Sequence, residues 1–358
     1  MKKTLIALAA VAASSAALAQ SSVTLYGVVD LSLESVKNDE SVTRVTSGNH
    51  TASRFGLRGT EDIGGGLKGK FMLETGVGAD TGTSGGESGS SVEEDRNTRF
   101  FDRAAWLGLE GGFGELRLGR QDTSIGAIAA NTAILGAQAY DDLSIVGVFA
   151  ASSNAYRRTD NAITYVLPKL ADGLSAQLQY STDVNGTELA DNDAGKAYGL
   201  SIQYAAGPIG AGLGYLNAKA DNDEDTKQKA ILAYVSYDFG AAKVTGYLNQ
   251  DDETDADKKR KVYGVRVDVP VTDAFKAQVS FSQAKDIKFG ATADNDAKIL
   301  ALKGTYNLSK RTSLYALFTN VSNDDGANLR IGANVSSDDA PEAGKSARGL
   351  AVGVVHRF

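Results

Sequence analysis

Hydrophobic and polar residues alternate one by one along most of this chain. The first clear segment is VTLYGVVDLSLE, in which odd-numbered positions are apolar and even-numbered positions are mostly polar. A period of two places the two sets on opposite faces of a β-strand. The apolar face carries Val23, Leu25, Gly27, Val29, Leu31 and Leu33, and the other face carries Thr24, Tyr26, Val28, Asp30, Ser32 and Glu34.

Strand-like segments of this kind number 16, and short turns alternate with long polar loops between them. An even number of antiparallel strands with short turns at one end and long loops at the other is typical of a transmembrane barrel. A secreted β-sandwich is the alternative, but hairpins in two packed sheets do not sort their long loops so regularly. The pattern therefore predicts an all-β fold, a 16-stranded antiparallel transmembrane β-barrel.

The N-terminus has the three parts of a secretory signal. Lys2 and Lys3 form a basic start, an apolar run follows as far as Leu18, and small residues precede Gln20. The apolar run is too short for a spanning helix, so we predict a cleaved signal peptide at residues 1–19. The barrel then comprises residues 20–358 and is exported.

Composition agrees with many strands joined by tight turns, since the chain has 40 glycines, 14 tyrosines and only 4 prolines. The absence of cysteine excludes disulfides, thiolate metal sites and cysteine nucleophiles. A formal charge of −7 disfavours a nucleic-acid partner. No cofactor or metal motif stands out, so none is expected.

One connection is unusually long and, unlike the other long loops, is mostly apolar. It runs from Gln121 to Tyr156, spans 36 residues, and has Asp122, Asp141 and Asp142 as its only charged side chains. The stretches AIAANTAIL and LSIVGVF are too apolar to prefer water, which makes disorder the weakest explanation. We expect this loop to fold back into the lumen of the barrel.

Five motifs are the most specific marks of the sequence: VTLYGVVDL, SRFGLRGTEDIGGGLKGKF, DRAAWLGLEGGFGELRLGRQ, RTDNAITY and the C-terminal HRF. They resemble the Gram-negative general porins of the neisserial and betaproteobacterial type, over essentially the whole mature chain. The resemblance implies a homotrimer in the outer membrane, with the third external loop folded into each lumen. It implies passage of ions and small hydrophilic solutes, contact with outer-membrane lipid and lipopolysaccharide, and a terminal Phe358 read by the barrel-assembly machinery. The loop here lacks the acidic, proline-containing motif of several relatives.

Arginines are the candidate functional residues. Alternation places Arg54 and Arg58 on the lumen face, about 13 Å apart at about 3.3 Å per residue. Arg158 also points inward by alternation, and the family's arginines on strands 2, 4 and 6 match Arg54, Arg103 and Arg158. Arg103 shares parity with Leu107 and Leu109, so either a bulge intervenes or those leucines face inward.

We predict a pore constriction in which Arg54, Arg58, Arg103 and Arg158 face Asp122, Asp141 and Asp142. At physiological salt the Debye length is about 8 Å, so fixed charges on the wall act on every passing ion. A weak to moderate anion preference follows if the arginines outweigh the loop acids. A substrate-selective channel is not separable from a general one at this point. An outer-membrane barrel enzyme is disfavoured because the only histidines are His50 and His356.

Overall fold

In the computed structural model the chain forms one closed antiparallel β-barrel. The structure describes residues 22–84, 99–132, 140–146, 156–184, 195–219, 227–253, 258–288, 295–332 and 339–358. The expected signal peptide lies outside these residues. The strands are β1 (Ser22–Lys37), β2 (Ser41–Ser47), β3 (Arg54–Gly64), β4 (Leu67–Gly78), β5 (Thr83–Ser84), β6 (Ala104–Gly111), β7 (Gly114–Asp122), β8 (Arg158–Val166), β9 (Leu174–Ser181), β10 (Ala197–Ala206), β11 (Ile209–Lys219), β12 (Lys227–Asp238), β13 (Lys243–Glu253), β14 (Lys258–Pro270), β15 (Phe275–Lys288), β16 (Asn295–Asn307), β17 (Thr312–Asn323) and β18 (Ala347–Arg357).

The described strands make 16 crossings of the barrel wall. β2 pairs with one half of β1 and β3 with the other half, so these two strands form a single crossing interrupted at residues 48–53. β5 has two residues and pairs only with the end of β4. The predicted 16-stranded antiparallel barrel is thereby confirmed.

Closure is made between the first and last strands. Ten consecutive residue pairs join β1 to β18, from Val28 opposite Arg357 to Lys37 opposite Arg348. Gly27 and the terminal Phe358 extend this ladder, because each donates its backbone N–H to the other's carbonyl oxygen at 3.1 Å. The seam leaves β1 without a free edge, as a membrane-spanning sheet requires.

The two faces of the wall have the polarity that alternation predicts. On β1, Val23 and Leu25 are exposed on the outside, whereas Asp30 and Glu34 are buried on the inside. The outward series of the last strand is Leu350, Val352, Val354 and Phe358. An apolar exterior with a polar interior matches a wall that contacts lipid on one side and water on the other.

At the end with long loops, several strands extend further than alternation indicated. The polar segment from Ser35 to Thr51 has only residues 38–40 as a connection between β1 and β2. Similarly, most of the charged segment QDDETDADKKR belongs to β13 and β14. There the inward Arg260 donates to Asp251 at 2.5 Å, with both side chains buried. Charged residues are typical of loops, but inside a barrel they also pair across strands.

The described parts of the long connection between β7 and β8 contain two helices. They are α1 (Ser124–Thr132) and α2 (Asp142–Ile145), and the side chain of Asp141 caps α2 by accepting from the N–H of Leu143. Within the described residues, neither helix has the length and apolar character needed to cross a membrane.

Candidate pore constriction

The described parts of the 121–156 connection contact the inner face of the wall. Ile125 and Ile128 of α1 pack against Gly214 of β11, where an added Cβ would lie 2.8 Å from Ile128 Cδ1. The Tyr140 hydroxyl donates to Glu34 of β1 at 3.0 Å, and its carbonyl oxygen accepts from Thr319 of β17 at 3.3 Å. The described parts of the connection therefore contact three separate strands of the wall, β1, β11 and β17.

A further contact fixes the end of the connection. The hydroxyl of Tyr156 donates to the side-chain oxygen of Asn249 on the inner face of β13. Thr123 and Tyr156 are themselves joined, because the Thr123 hydroxyl donates to the Tyr156 carbonyl oxygen at 2.5 Å. The two ends of the connection therefore meet at the wall.

The structure places Asp141 and Asp142 away from solvent, between the connection and the wall. Both side chains are buried, and Asp142 accepts a 2.5 Å hydrogen bond from Tyr247 of β13. Burial and the neighbouring Asp142 carboxyl raise the pKa of Asp141 well above its usual range. Burial also raises the pKa of Asp142, against the opposing effect of its hydrogen bonds. This differs from the predicted role, in which both carboxylates present charge to the pore.

Asp122 has a different environment from the other two acids. It ends β7, its side chain is 56% exposed, and its Oδ1 lies 3.3 Å from Nε of the buried Arg158. Asp122 is thus the one member of the predicted acidic set with an exposed carboxylate among the residues described. Asp122 lies next to Arg158 because β7 and β8 pair these two residues directly.

The wall formed by β3, β4 and the entry to β6 carries a compact ionic cluster. Arg103 donates from Nε to Glu74 Oε1 at 2.7 Å, and Arg54 Nε lies 3.5 Å from Glu74 Oε2. The charges of Arg103 and Arg158 both act on Arg54. The structure therefore brings together three of the arginines that alternation and resemblance selected.

The start of β6 explains why Arg103 and the leucines of the same parity point in different directions. β6 starts at Ala104, so Arg103 lies in the preceding turn and does not follow the alternation. Leu107 and Leu109 face outward, with exposed fractions of 67% and 38%. Arg103 nevertheless reaches the inner wall, where its backbone N–H also donates to the Glu74 carbonyl oxygen.

Sequence reasoning missed a second arginine pair beside this cluster. Arg99 Nη2 and Arg120 Nη1 each lie 2.6 Å from a carboxylate oxygen of Asp160. Strict alternation with the outward Leu116 and Leu118 would point Arg120 at lipid. A register shift between Gly119 and Gln121, with Gly119 at φ +124°, redirects the strand. Such a bulge leaves no reliable mark in the hydrophobic pattern, although the glycine is a signal for one.

Arg58 differs from the other arginines of this wall. Its guanidinium lies over the Tyr26 ring, 5.0 Å from the ring centroid. Across the part of the chain that the structure covers, no carboxylate pairs with it, whereas Arg54, Arg99, Arg103, Arg117, Arg120 and Arg158 each have an acidic partner. Arg58 is also exposed, so it presents a free positive charge to the lumen.

The arrangement can act on solutes through charge. Among the described residues, positive and negative groups line one wall, with the positive groups in excess and Arg58 without a carboxylate partner. Over the residues described, no group of three or more acidic or histidine side chains could hold a metal ion.

Comparison with known proteins agrees with this architecture. A model of the Gram-negative porin family matches residues 4–326. Outer membrane porin protein 32 of Delftia acidovorans is 34% identical over 370 residues, covering 100% of both chains. Major outer membrane protein P.IB of Neisseria gonorrhoeae is 27% identical over 349 residues, covering 87% of this chain and 91% of the relative.

Among solved structures, the anion-selective porin from Comamonas acidovorans superposes with a TM-score of 0.81 at 29% identity. The match covers 94% of this chain and 100% of that one. A closed barrel with a polar lumen and an apolar exterior defines an outer-membrane channel protein. The chain belongs to the Gram-negative porin family, and it forms an outer-membrane channel for ions and small hydrophilic solutes.

Proposed function

We propose that this porin is a passive diffusion channel with a weak anion preference, set by charges on one side of its constriction. Arg54, Arg58, Arg103 and Arg158 form the positive side, with Asp122 as the exposed acid. Asp141 and Asp142 act as anchors of the connection and contribute little charge to the ion path. We expect no enzymatic activity, because the family members it resembles are channels.

The observation that supports the anion preference best is the distribution of acid and base across the lumen. The arginines gather on β3, β7, β8 and the entry to β6, whereas the two central acids of the connection are buried and have raised pKa values. An unpaired charge about 5 Å from the ion path contributes about 0.8 kcal/mol even in water. The solved relative from Comamonas acidovorans, described as anion-selective, is consistent with this proposal.

Reversal potential in planar bilayers under a KCl gradient tests the proposal. We expect a reversal potential whose sign shows that chloride is more permeant than potassium. Arg54→Ala and Arg158→Ala should each reduce this potential. Tyr198→Ala, on the outer face, is the matched control and should leave the potential unchanged. A potential that favours potassium, or one insensitive to both arginine changes, contradicts the proposal. Absence of stepwise conductance contradicts the channel itself.

The assembly state and cellular partners are part of the same proposal. We propose a homotrimer in contact with outer-membrane lipid and lipopolysaccharide, inserted by the barrel-assembly machinery, as the family resemblance implies. Export requires the expected signal peptide at residues 1–19. Chemical cross-linking of the purified protein in detergent, read by mass, should give a product of three chains; a product of one chain at saturating cross-linker would contradict the trimer.

A further inference from the structure

Two aromatic rings with arginines stacked on them lie on the inner wall, on the short-turn side of the constriction. Arg58 lies over the ring of Tyr26, and Arg117 lies over the ring of Trp106, with Cζ 4.8 Å from the ring centroid. Trp106 is the only tryptophan in the chain. Neither ring faces lipid, since the neighbouring outward residues are Leu25 and Leu107.

Strand register brings these groups side by side. Arg58 is directly opposite Met72, and Met72 is directly opposite Trp106 on the next strand. Neighbouring strands lie about 4.8 Å apart, so the Cα atoms of Arg58 and Trp106 are about 10 Å apart with the Met72 side chain between them. We call Tyr26, Arg58, Met72, Trp106 and Arg117 the aromatic platform.

The two arginines of the aromatic platform have different electrostatic environments. Arg117 donates from Nε and Nη2 to Glu115 at 2.7 and 3.0 Å, so its charge is compensated. Its planar group therefore serves to hold the indole in place. Arg58 has no carboxylate partner in the described parts of the chain and is exposed to the lumen. It is the guanidinium that remains available to an incoming anion.

The rings are held in fixed positions around this free charge. Tyr26 donates its hydroxyl to Glu74 Oε2 at 2.8 Å, which ties the platform to the arginine cluster. Met72 provides a flexible, polarisable side chain that packs well against aromatic rings. A free guanidinium at one side and an apolar, aromatic surface about 10 Å across match a ligand with a carboxylate at one end and a flat ring at the other.

We infer that the aromatic platform is a binding subsite for aromatic carboxylates. The carboxylate pairs with Arg58 and the ring stacks against Met72 and Trp106. Stacking of a flat ring on an aromatic side chain favours a planar acid over a non-planar acid of equal charge. This inference rests on the proposed function and names the solute class that the channel favours among small anions.

Tryptophan fluorescence of the refolded barrel tests the subsite directly, because Trp106 is the sole reporter. Titration with benzoate should change its emission saturably, and cyclohexanecarboxylate, which has the same charge without a flat ring, should bind at least about threefold more weakly. Arg58→Gln should weaken benzoate binding about tenfold through loss of a charge-assisted contact, and Arg58→Lys should restore part of it. Equal responses to both acids, or an emission change untouched by Arg58→Gln, overturn the inference.

Single-channel recording supplies an independent readout. Millimolar benzoate should produce brief, concentration-dependent current interruptions or saturable benzoate current in the wild type, and Trp106→Leu should abolish them. Tyr198→Ala removes an aromatic ring from the outer face and should leave them intact. Heat-modifiable gel mobility verifies that each variant is folded. Stepwise KCl conductance without any benzoate effect would overturn the inference and leave the proposed channel function intact. Absence of stepwise KCl conductance would instead contradict the proposed function.

Discussion

Gly27 and Phe358 pack against each other at the point where the barrel closes. Their backbones exchange two hydrogen bonds of 3.1 Å, and an added Cβ on Gly27 would lie 2.2 Å from Phe358 Cζ. The terminal ring therefore covers the glycine on the outer face of the seam. Phe358 is expected to be a recognition signal for assembly, and this contact gives it a structural role as well.

Gly27→Ala and Phe358→Ala should each slow refolding in lipid vesicles, where no assembly machinery is present. In Gly27→Ala the added methyl group forces the Phe358 ring out of its position, and in Phe358→Ala the packing of that ring is lost. Each change should destabilise the closed barrel by about 1–3 kcal/mol. Heat-modifiable gel mobility during refolding measures the refolding rate of each variant. Because the two changes act on one contact, the double variant should lose less refolding rate than the two single variants lose together. Additive losses would show that the contact does not matter for closure.

Removing a free charge should alter ion selectivity more than removing a compensated one. Arg58→Gln deletes the unpaired guanidinium, whereas Arg103→Gln deletes one that is already paired with Glu74 at 2.7 Å. We expect Arg58→Gln to lower the chloride-to-potassium permeability ratio about threefold, and Arg103→Gln to lower it less. Reversal potentials measured at 0.1 M salt check this order. The opposite order would mean that Arg58 lies away from the ion path.

Docking of the connection should weaken as pH rises. The pKa values of Asp141 and Asp142 are raised by burial in the folded state, so folding favours their protonated forms. Their stabilising contribution is complete below the ordinary carboxyl pKa of about 3.9 and is lost as pH rises through the raised values. Limited proteolysis of the connection should therefore be faster at high pH.

Asn substitution separates this effect from general pH sensitivity. Asp141→Asn combined with Asp142→Asn keeps hydrogen-bond acceptors and removes the titration, so its cleavage rate should vary less with pH than that of the wild type. Asp172→Asn, at an exposed turn, is the control and should follow the wild type. A double Asn variant with unchanged pH dependence would assign the effect to other groups.

The strand pattern was available from sequence because a membrane barrel has a simple constraint. Every outward residue meets lipid and every inward residue meets water or packed polar groups, so each strand records its own two faces. That constraint was sufficient for the strand number, for the outward series ending in Phe358, and for the inward position of Arg54 and Arg58. The apolar character of residues 121–156, in a connection too long for a turn, likewise predicted that the segment folds inward, and its described parts contact the inner wall.

Tertiary structure decided the features that depend on partners from distant strands. A one-residue bulge at Gly119 redirects Arg120 to the lumen, and local alternation does not record it. The sequence predicts that Asp141 and Asp142 present their charges to the pore. In the structure Tyr247 and the wall enclose them, and burial disfavours their charged forms. Similarly, only cross-strand register shows that Arg58, Met72 and Trp106 form one row. Sequence determined which way each strand faces, while packing determined which charges remain free to meet a solute.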